Sequence, residues 1–154
     1  MNTDDLERYV PASIDELNLK FQIPHWWKSR VDREGKSRTW VYWDVYTGTL
    51  RISGFTVESA KFKLEDYLKG MLKDEKANGA KWKTYGGRRF VYYEQDGSDE
   101  TRLHFYISGH GKRVLVVSFA YLLSLLDDEF SADEVQGSLE DVERVLSNFT
   151  FGSR

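Results

Sequence analysis

Histidine, cysteine and serine are the side chains whose spacing most often marks an active site, and this chain uses them sparingly. Its three histidines are His25, His104 and His110, and none forms the H-E-x-x-H or H-x-x-x-H spacing that sets two imidazoles on one metal. Cysteine is absent, which excludes disulfides, thiol catalysis, Fe–S clusters and cysteine-ligated zinc. His110 lies in Gly109-His110-Gly111, where the glycines serve a chain reversal. His104 alternates with Leu103, Phe105 and Ile107, shares its face with Arg102 and Tyr106, and reads as a partly exposed structural histidine. No G-x-S-x-G elbow occurs, and Ser53 and Ser108 each precede a glycine at a strand end. Gly86-Gly87-Arg88-Arg89 sets flexible backbone beside cations, as a phosphate cradle does. It lacks Gly-Lys-Ser/Thr and a following helix, so it reads as a hairpin turn.

Carboxylates are plentiful but badly placed for catalysis. Asp4-Asp5, Asp15-Glu16, Glu65-Asp66, Asp74-Glu75 and Asp127-Asp128-Glu129 are neighbours in sequence, and adjacent residues on a helix do not face one another. The last run also lacks the spaced ligands of a calcium loop. The expectation is therefore a chain with no catalytic residue, no metal and no cofactor.

The elements that would position these residues follow from composition and periodicity. The chain has 154 residues, enough for one domain that buries roughly 70% of its unfolded surface. That domain is expected to span residues 1–154, with an ordered core of about 13–151 and frayed ends. The formal charge of −3 gives no reason to expect nucleic acid as partner. The acidic opening is not a secretory leader, and the longest apolar stretch, residues 114–126, is too short to span a bilayer. A cytoplasmic protein with no membrane contact is the expectation.

Leu17, Leu19, Phe21 and Ile23 alternate with polar residues as a strand that stops at Pro24. A polar stretch runs on to Gly35, and residues 39–55 form a hairpin around Thr47-Gly48. Leu64, Tyr67, Leu68, Met71 and Leu72 trace a helical stripe that Asn78-Gly79 ends. Strands follow at 82–85, 88–95, 102–108 and 113–120. Ser131-Ala132-Asp133-Glu134 fits a capping box for a last helix with Val135, Leu139, Val142, Val145, Leu146 and Phe149 on one face. Short joins between strands imply a mainly antiparallel sheet and the α+β class. Leu115, Val117 and Phe119 alternate with Val114, Val116 and Ala120, so both faces of that strand are apolar and both are covered. An α/β/α sandwich, with helices packed on both faces of the sheet, is the architecture expected.

The order of these elements is similar to that of the PsbP-like superfamily, which includes oxygen-evolving extrinsic proteins, a Ran-release factor and small bacterial domains of unknown function. Phe21-Gln22-Ile23-Pro24-His25-Trp26-Trp27 resembles the strand–Pro–Trp opening of those domains. Gly48-Thr49-Leu50-Arg51-Ile52-Ser53 resembles their second strand, and residues 142–151 look like their closing helix and strand. The resemblance implies a fold and no chemistry, since each motif is structural.

The compositional oddity is aromatic. Trp, Tyr and Phe make up 15% of the chain, and Trp26, Trp27, Trp40 and Trp43 lie within eighteen residues. Trp26 and Trp27 are adjacent, and Trp40 and Trp43 fall on opposite faces of a regular strand, so all four cannot be core. Charge is also uneven. Residues 127–143 hold eight acids and no Lys or Arg, whereas residues 61–89 hold nine bases against four acids. These observations point to a non-enzymatic module that holds a protein partner through Trp26, Trp27, Trp40, Tyr42 and Trp43, and the resemblance to PsbP-like domains implies an adaptor, chaperone or immunity type. The alternative is a small-molecule site or enzyme with a pocket lined by Tyr92, His104 and Tyr106. The opposite charges of the two helices leave a homodimer open.

Overall fold

The computed structural model describes residues 8–152. In chain order the elements are β1 (Tyr9–Ile14), β2 (Leu19–Pro24), β3 (Lys28–Glu34), β4 (Ser37–Trp43), β5 (Gly48–Thr56), α1 (Leu64–Asp74), β6 (Lys81–Tyr85), β7 (Arg88–Asp96), β8 (Thr101–His110), β9 (Arg113–Leu122), α2 (Glu129–Ser147) and β10 (Thr150–Phe151). A seven-stranded sheet has the order β3-β4-β5-β9-β8-β7-β6, and a three-stranded sheet has the order β1-β2-β10. Every pairing is antiparallel, so the class is α+β as the short joins require. β9, apolar on both faces, lies at the centre of the larger sheet.

Two strands escape the alternation rule. β1 begins at Tyr9, ahead of the expected start of the ordered core, and pairs along its length with β2. β3 occupies the stretch read as polar loop; all seven residues are exposed, so no apolar face announces it. Residues 1–7 and 153–154, expected to fray, lie outside the described residues. The last helix also starts earlier than the capping box implies. Asp128, not Ser131, is its N-cap: the backbone N–H of Ser131 donates to Asp128 Oδ2 at 3.0 Å, and its hydroxyl donates to the same oxygen at 3.1 Å. A carboxylate there caps orphan amides and meets the positive end of the helix dipole.

Alternate residues of the central strands feed two separate clusters. Phe90 and Tyr92 of β7, with Leu115, Val117, Phe119 and Tyr121 of β9, pack with Val135, Val142, Val145 and Leu146 of α2 and with Leu19, Phe21 and Ile23 of β2. Val91 and Tyr93 of β7, with Ile107 and Val114, pack with Leu68 of α1, which Leu64, Tyr67, Met71 and Leu72 flank. The helical stripe and the strand alternation thus serve the same two cores.

The turn between β6 and β7 ties the sheet to the end of α2. Gly86 and Gly87 both have left-handed backbone, at φ +58° and +80°. A Cβ on Gly86 would collide with the backbone carbonyl of Ser147, whereas one on Gly87 meets nothing within 4 Å. Gly87→Ala should therefore cost about 1–2 kcal/mol, the ordinary left-handed penalty. Gly86→Ala should cost clearly more in urea denaturation, and equal losses would show that the Ser147 carbonyl yields freely.

Candidate functional site

The aromatic segment divides at the turn between β2 and β3. The backbone N–H of Trp27 donates to the Pro24 carbonyl at 3.1 Å, and the turn sends Trp27 into the core at 6% exposure. Its buried Nε1 has no hydrogen-bond partner among the described residues. Tyr42 is also core, edge-on to Phe21, and burial raises its pKa to about 12. Trp26 and Trp40 are half-buried against the same cluster. Trp43, half-buried on the opposite face of β4, lies under the Arg30 guanidinium at 5.2 Å. The five residues expected to form one binding patch are thus divided between interior and surface.

Trp26 reaches the surface at a cleft of about 440 Å³ between α2 and the β4–β5 turn. Its indole N–H donates to Asp44 Oδ2 at 3.2 Å, and the Arg8 guanidinium lies 5.2 Å from its ring centroid. Asp44 Oδ1 accepts the backbone N–H of Tyr46 at 2.9 Å, fixing the turn that leaves the Tyr46 side chain 78% exposed. Thr47 Oγ1 and Ser138 Oγ, 2.6 Å apart, pin that turn to the middle of α2. On the helix side the wall is Glu134, Gly137, Glu140, Asp141 and Arg144. The Tyr9 hydroxyl donates to Asp141 Oδ1 at 2.6 Å. Burial raises the Asp141 carboxyl above its ordinary value, against the lowering effect of Tyr9, Arg8 and Arg144. The cleft combines an indole edge, an exposed phenol ring and several carboxylates. Asp44, Tyr46 and Asp141 escape sequence reading because they come from a turn and a helix 97 residues apart at their extremes, with no motif linking them.

His104 is buried at 5% exposure, which corrects the expectation of a partly exposed residue. Neighbouring strands cover it: Nδ1 is 2.7 Å from the Tyr92 hydroxyl and Nε2 is 2.9 Å from the Tyr121 hydroxyl. A neutral imidazole has one N–H and one lone pair, so one tyrosine donates to the ring and the other accepts. Burial lowers the His104 pKa below 6.5, outweighing the opposing charge of Glu94. Glu94 Oε1 at 3.9 Å from Nε2 is therefore a neighbour to a neutral ring, not half of an ion pair. Tyr106, 2% exposed, packs on Tyr92 at 5.2 Å between centroids, and Lys83 covers the Tyr92 ring at 3.9 Å. Tyr92, His104 and Tyr106 thus pack on one another with little surface left to solvent.

The other motifs have local structural roles. His110 stacks on Phe151 at 4.9 Å, and Arg88 Nη1 donates to the Gly109 carbonyl at 2.8 Å. Arg89 pairs with Glu65 and lies over Trp82 at 4.2 Å. No group of three or more His, Asp or Glu that could hold a metal occurs among the described residues.

No protein-family model and no curated protein matches this chain. Solved structures do match it in fold. A Bacteroides thetaiotaomicron VPI-5482 protein superposes with a TM-score of 0.65 at 21% identity, over 89% of this chain and 46% of the other. The chain thus spans a little under half of that structure. The cyanobacterial PsbP (CyanoP) of Synechocystis sp. PCC 6803 superposes with a TM-score of 0.59 at 14% identity, over 94% of this chain and 93% of the other. The fold is PsbP-like.

Two measurements separate core from surface. Trp27→Ala should cost about 3–5 kcal/mol in chemical denaturation, because it empties a large buried site, and Trp26→Ala distinctly less. His104 should make the fold acid-sensitive. Its folded pKa lies below its unfolded value, so below about pH 6.5 the unfolded chain takes up a proton that the folded chain refuses, and stability falls with pH. His104→Gln should flatten that loss in denaturation series run across the range. An unchanged slope would assign it to other groups.

Proposed function

We propose that this chain is a non-enzymatic accessory module that holds a protein partner at the cleft beside Trp26, without a cofactor. The observation that carries the reading is a half-buried indole edge and the exposed Tyr46 ring lining one open cleft against α2. Trp and Tyr supply large, rigid contact area with a polar handle, which is why they dominate binding hot spots. Trp40 extends the aromatic region along β4 and Trp43 stands on that strand's other face, while Trp27 and Tyr42 support the region from the interior. The framework beneath is inferred to be an α/β/α sandwich. That layering is supported by the way alternate residues of β7 and β9 join α2 in one cluster and α1 in the other.

Affinity capture from the native cell tests the reading, with recovered proteins identified by mass spectrometry. Trp26→Ala and Tyr46→Ala, each verified as folded, should lower recovery of a specific partner by tenfold or more, the hot-spot scale of about 1.4 kcal/mol or greater. Trp43→Ala should have a smaller effect. Undiminished recovery by both cleft variants would overturn the assignment.

A further inference from the structure

β3 is the outermost strand of the seven-stranded sheet, paired only with β4 among the described residues, and every residue in it is exposed. Its sequence is Lys28-Ser29-Arg30-Val31-Asp32-Arg33-Glu34. Turned end for end about Val31, it sets Lys28 against Glu34, Arg30 against Asp32, Ser29 against Arg33, and Val31 against itself. We propose that β3 pairs antiparallel with β3 of a second copy around a two-fold axis at Val31, joining two sheets edge to edge. This surface is separate from the cleft beside Trp26.

Charge favours that register over its neighbours. A shift of one residue sets Lys28 against Arg33 in one direction, or Arg30 against Arg33 in the other. A shift of two residues sets Arg30 against Arg30, or Asp32 against Asp32, and keeps only two unlike pairs where the two-fold register has four. Parallel pairing in register opposes every charge to its like. Like charges directly opposite one another destabilise a strand pair, and opposite charges stabilise it. Charged residues normally guard a sheet edge against copies of itself. Here the guard is weakest in the two-fold register, where four unlike pairs face one another and no like pair does.

The backbone agrees. β3 and β4 are joined by the two-residue turn Gly35-Lys36, with Gly35 at φ +61°, and their register runs without a bulge from Lys28↔Trp43 to Glu34↔Ser37. Residues flanking such a turn form a hydrogen-bonded pair, and the pattern alternates from there. Lys28, Arg30, Asp32 and Glu34 therefore direct their backbone groups to β4. Ser29, Val31 and Arg33 direct theirs to the open edge, on the residues that the two-fold register opposes. On the even-numbered face the side chains already alternate in charge, with Arg30 Nε and Asp32 Oδ1 at 2.7 Å within one strand. A second copy extends that pair into a four-charge cluster. A seven-residue edge buries less than the roughly 1,200 Å² of a standard interface, so the association is reversible and seen at high concentration.

Sedimentation equilibrium from micromolar to millimolar concentration tests the proposal. The wild-type chain should show a reversible monomer–dimer equilibrium. Arg30→Asp and Asp32→Arg, each verified as folded by circular dichroism, should each weaken self-association about tenfold or more by creating two like-charge pairs. Mixing the two variants should restore dimer, because positions 30 and 32 are then acidic in one copy and basic in the other, and each meets its opposite across the axis. The double variant R30D/D32R should dimerise alone. A wild-type monomer throughout, single variants that associate like wild type, or a mixture that stays monomeric would each overturn the proposal.

Discussion

The molecule is organised around a central strand with fully buried side chains on both of its faces. Val114, Leu115, Val117 and Phe119 of β9 are fully buried, and they lie on both faces of the strand. Hiding each such side chain from water contributes about 1.5–3 kcal/mol, so exposing the face of Leu115, Val117 and Phe119 would forfeit several times the effect of an ordinary mutation. That constraint dictates the surroundings. β5 and β8 pair with β9 along its length, satisfying its backbone on both edges. Its odd-numbered side chains meet α2 and the small sheet, and Val114 meets α1. The same strand delivers Tyr121 to His104, so the polar contact inside the core hangs on the apolar strand that runs through it.

Elements whose burial is periodic are legible in the sequence, and those held by pairing alone are not. Residues 113–121 announce a central strand because both alternating sets are apolar. The stripe Leu64, Tyr67, Leu68, Met71, Leu72 announces α1 for the matching reason at the helical period. β3 has no buried side chain and cannot be read by any hydrophobic pattern. Its signal is Gly35, whose positive φ makes a two-residue hairpin, and which in sequence marks only the end of a polar stretch. The capping box misleads for a related reason: Ser131 and Glu134 fit the pattern, but Asp128 stands three residues upstream with a carboxylate that reaches the same amide.

The candidate site is half legible. Adjacency of Trp26 and Trp27 correctly implies that one ring faces outward, but which one depends on the turn that bonds Trp27 N–H to Pro24. His104 reads as partly exposed because strand alternation sees only its own strand. Its cover comes from Tyr92 on β7 and Tyr121 on β9, two residues that alternation in β8 cannot report. Asp141 and Asp44 are beyond reach altogether, since nothing local distinguishes them from the other acids of a negatively charged helix and a turn.

The two edges of the large sheet are held by different physics. β6 is fastened to the interior: Trp82 lies under Arg89, Lys83 covers Tyr92, and Gly86 at its end abuts the last turn of α2. Among the described residues β3 has no comparable anchor. Its attachments are the ladder to β4, the Arg30–Trp43 contact and, through the next strand, the Arg38–Glu16 pair. Proline, a bulge and a covering helix are the usual means of blunting an edge, and among the described residues β3 uses none of them. Charge is the only property that decides what this edge admits. In the proposed two-fold pairing Lys28 and Arg30 face Glu34 and Asp32 across Val31, so the charges that elsewhere guard an edge against its own copy become the means of joining it.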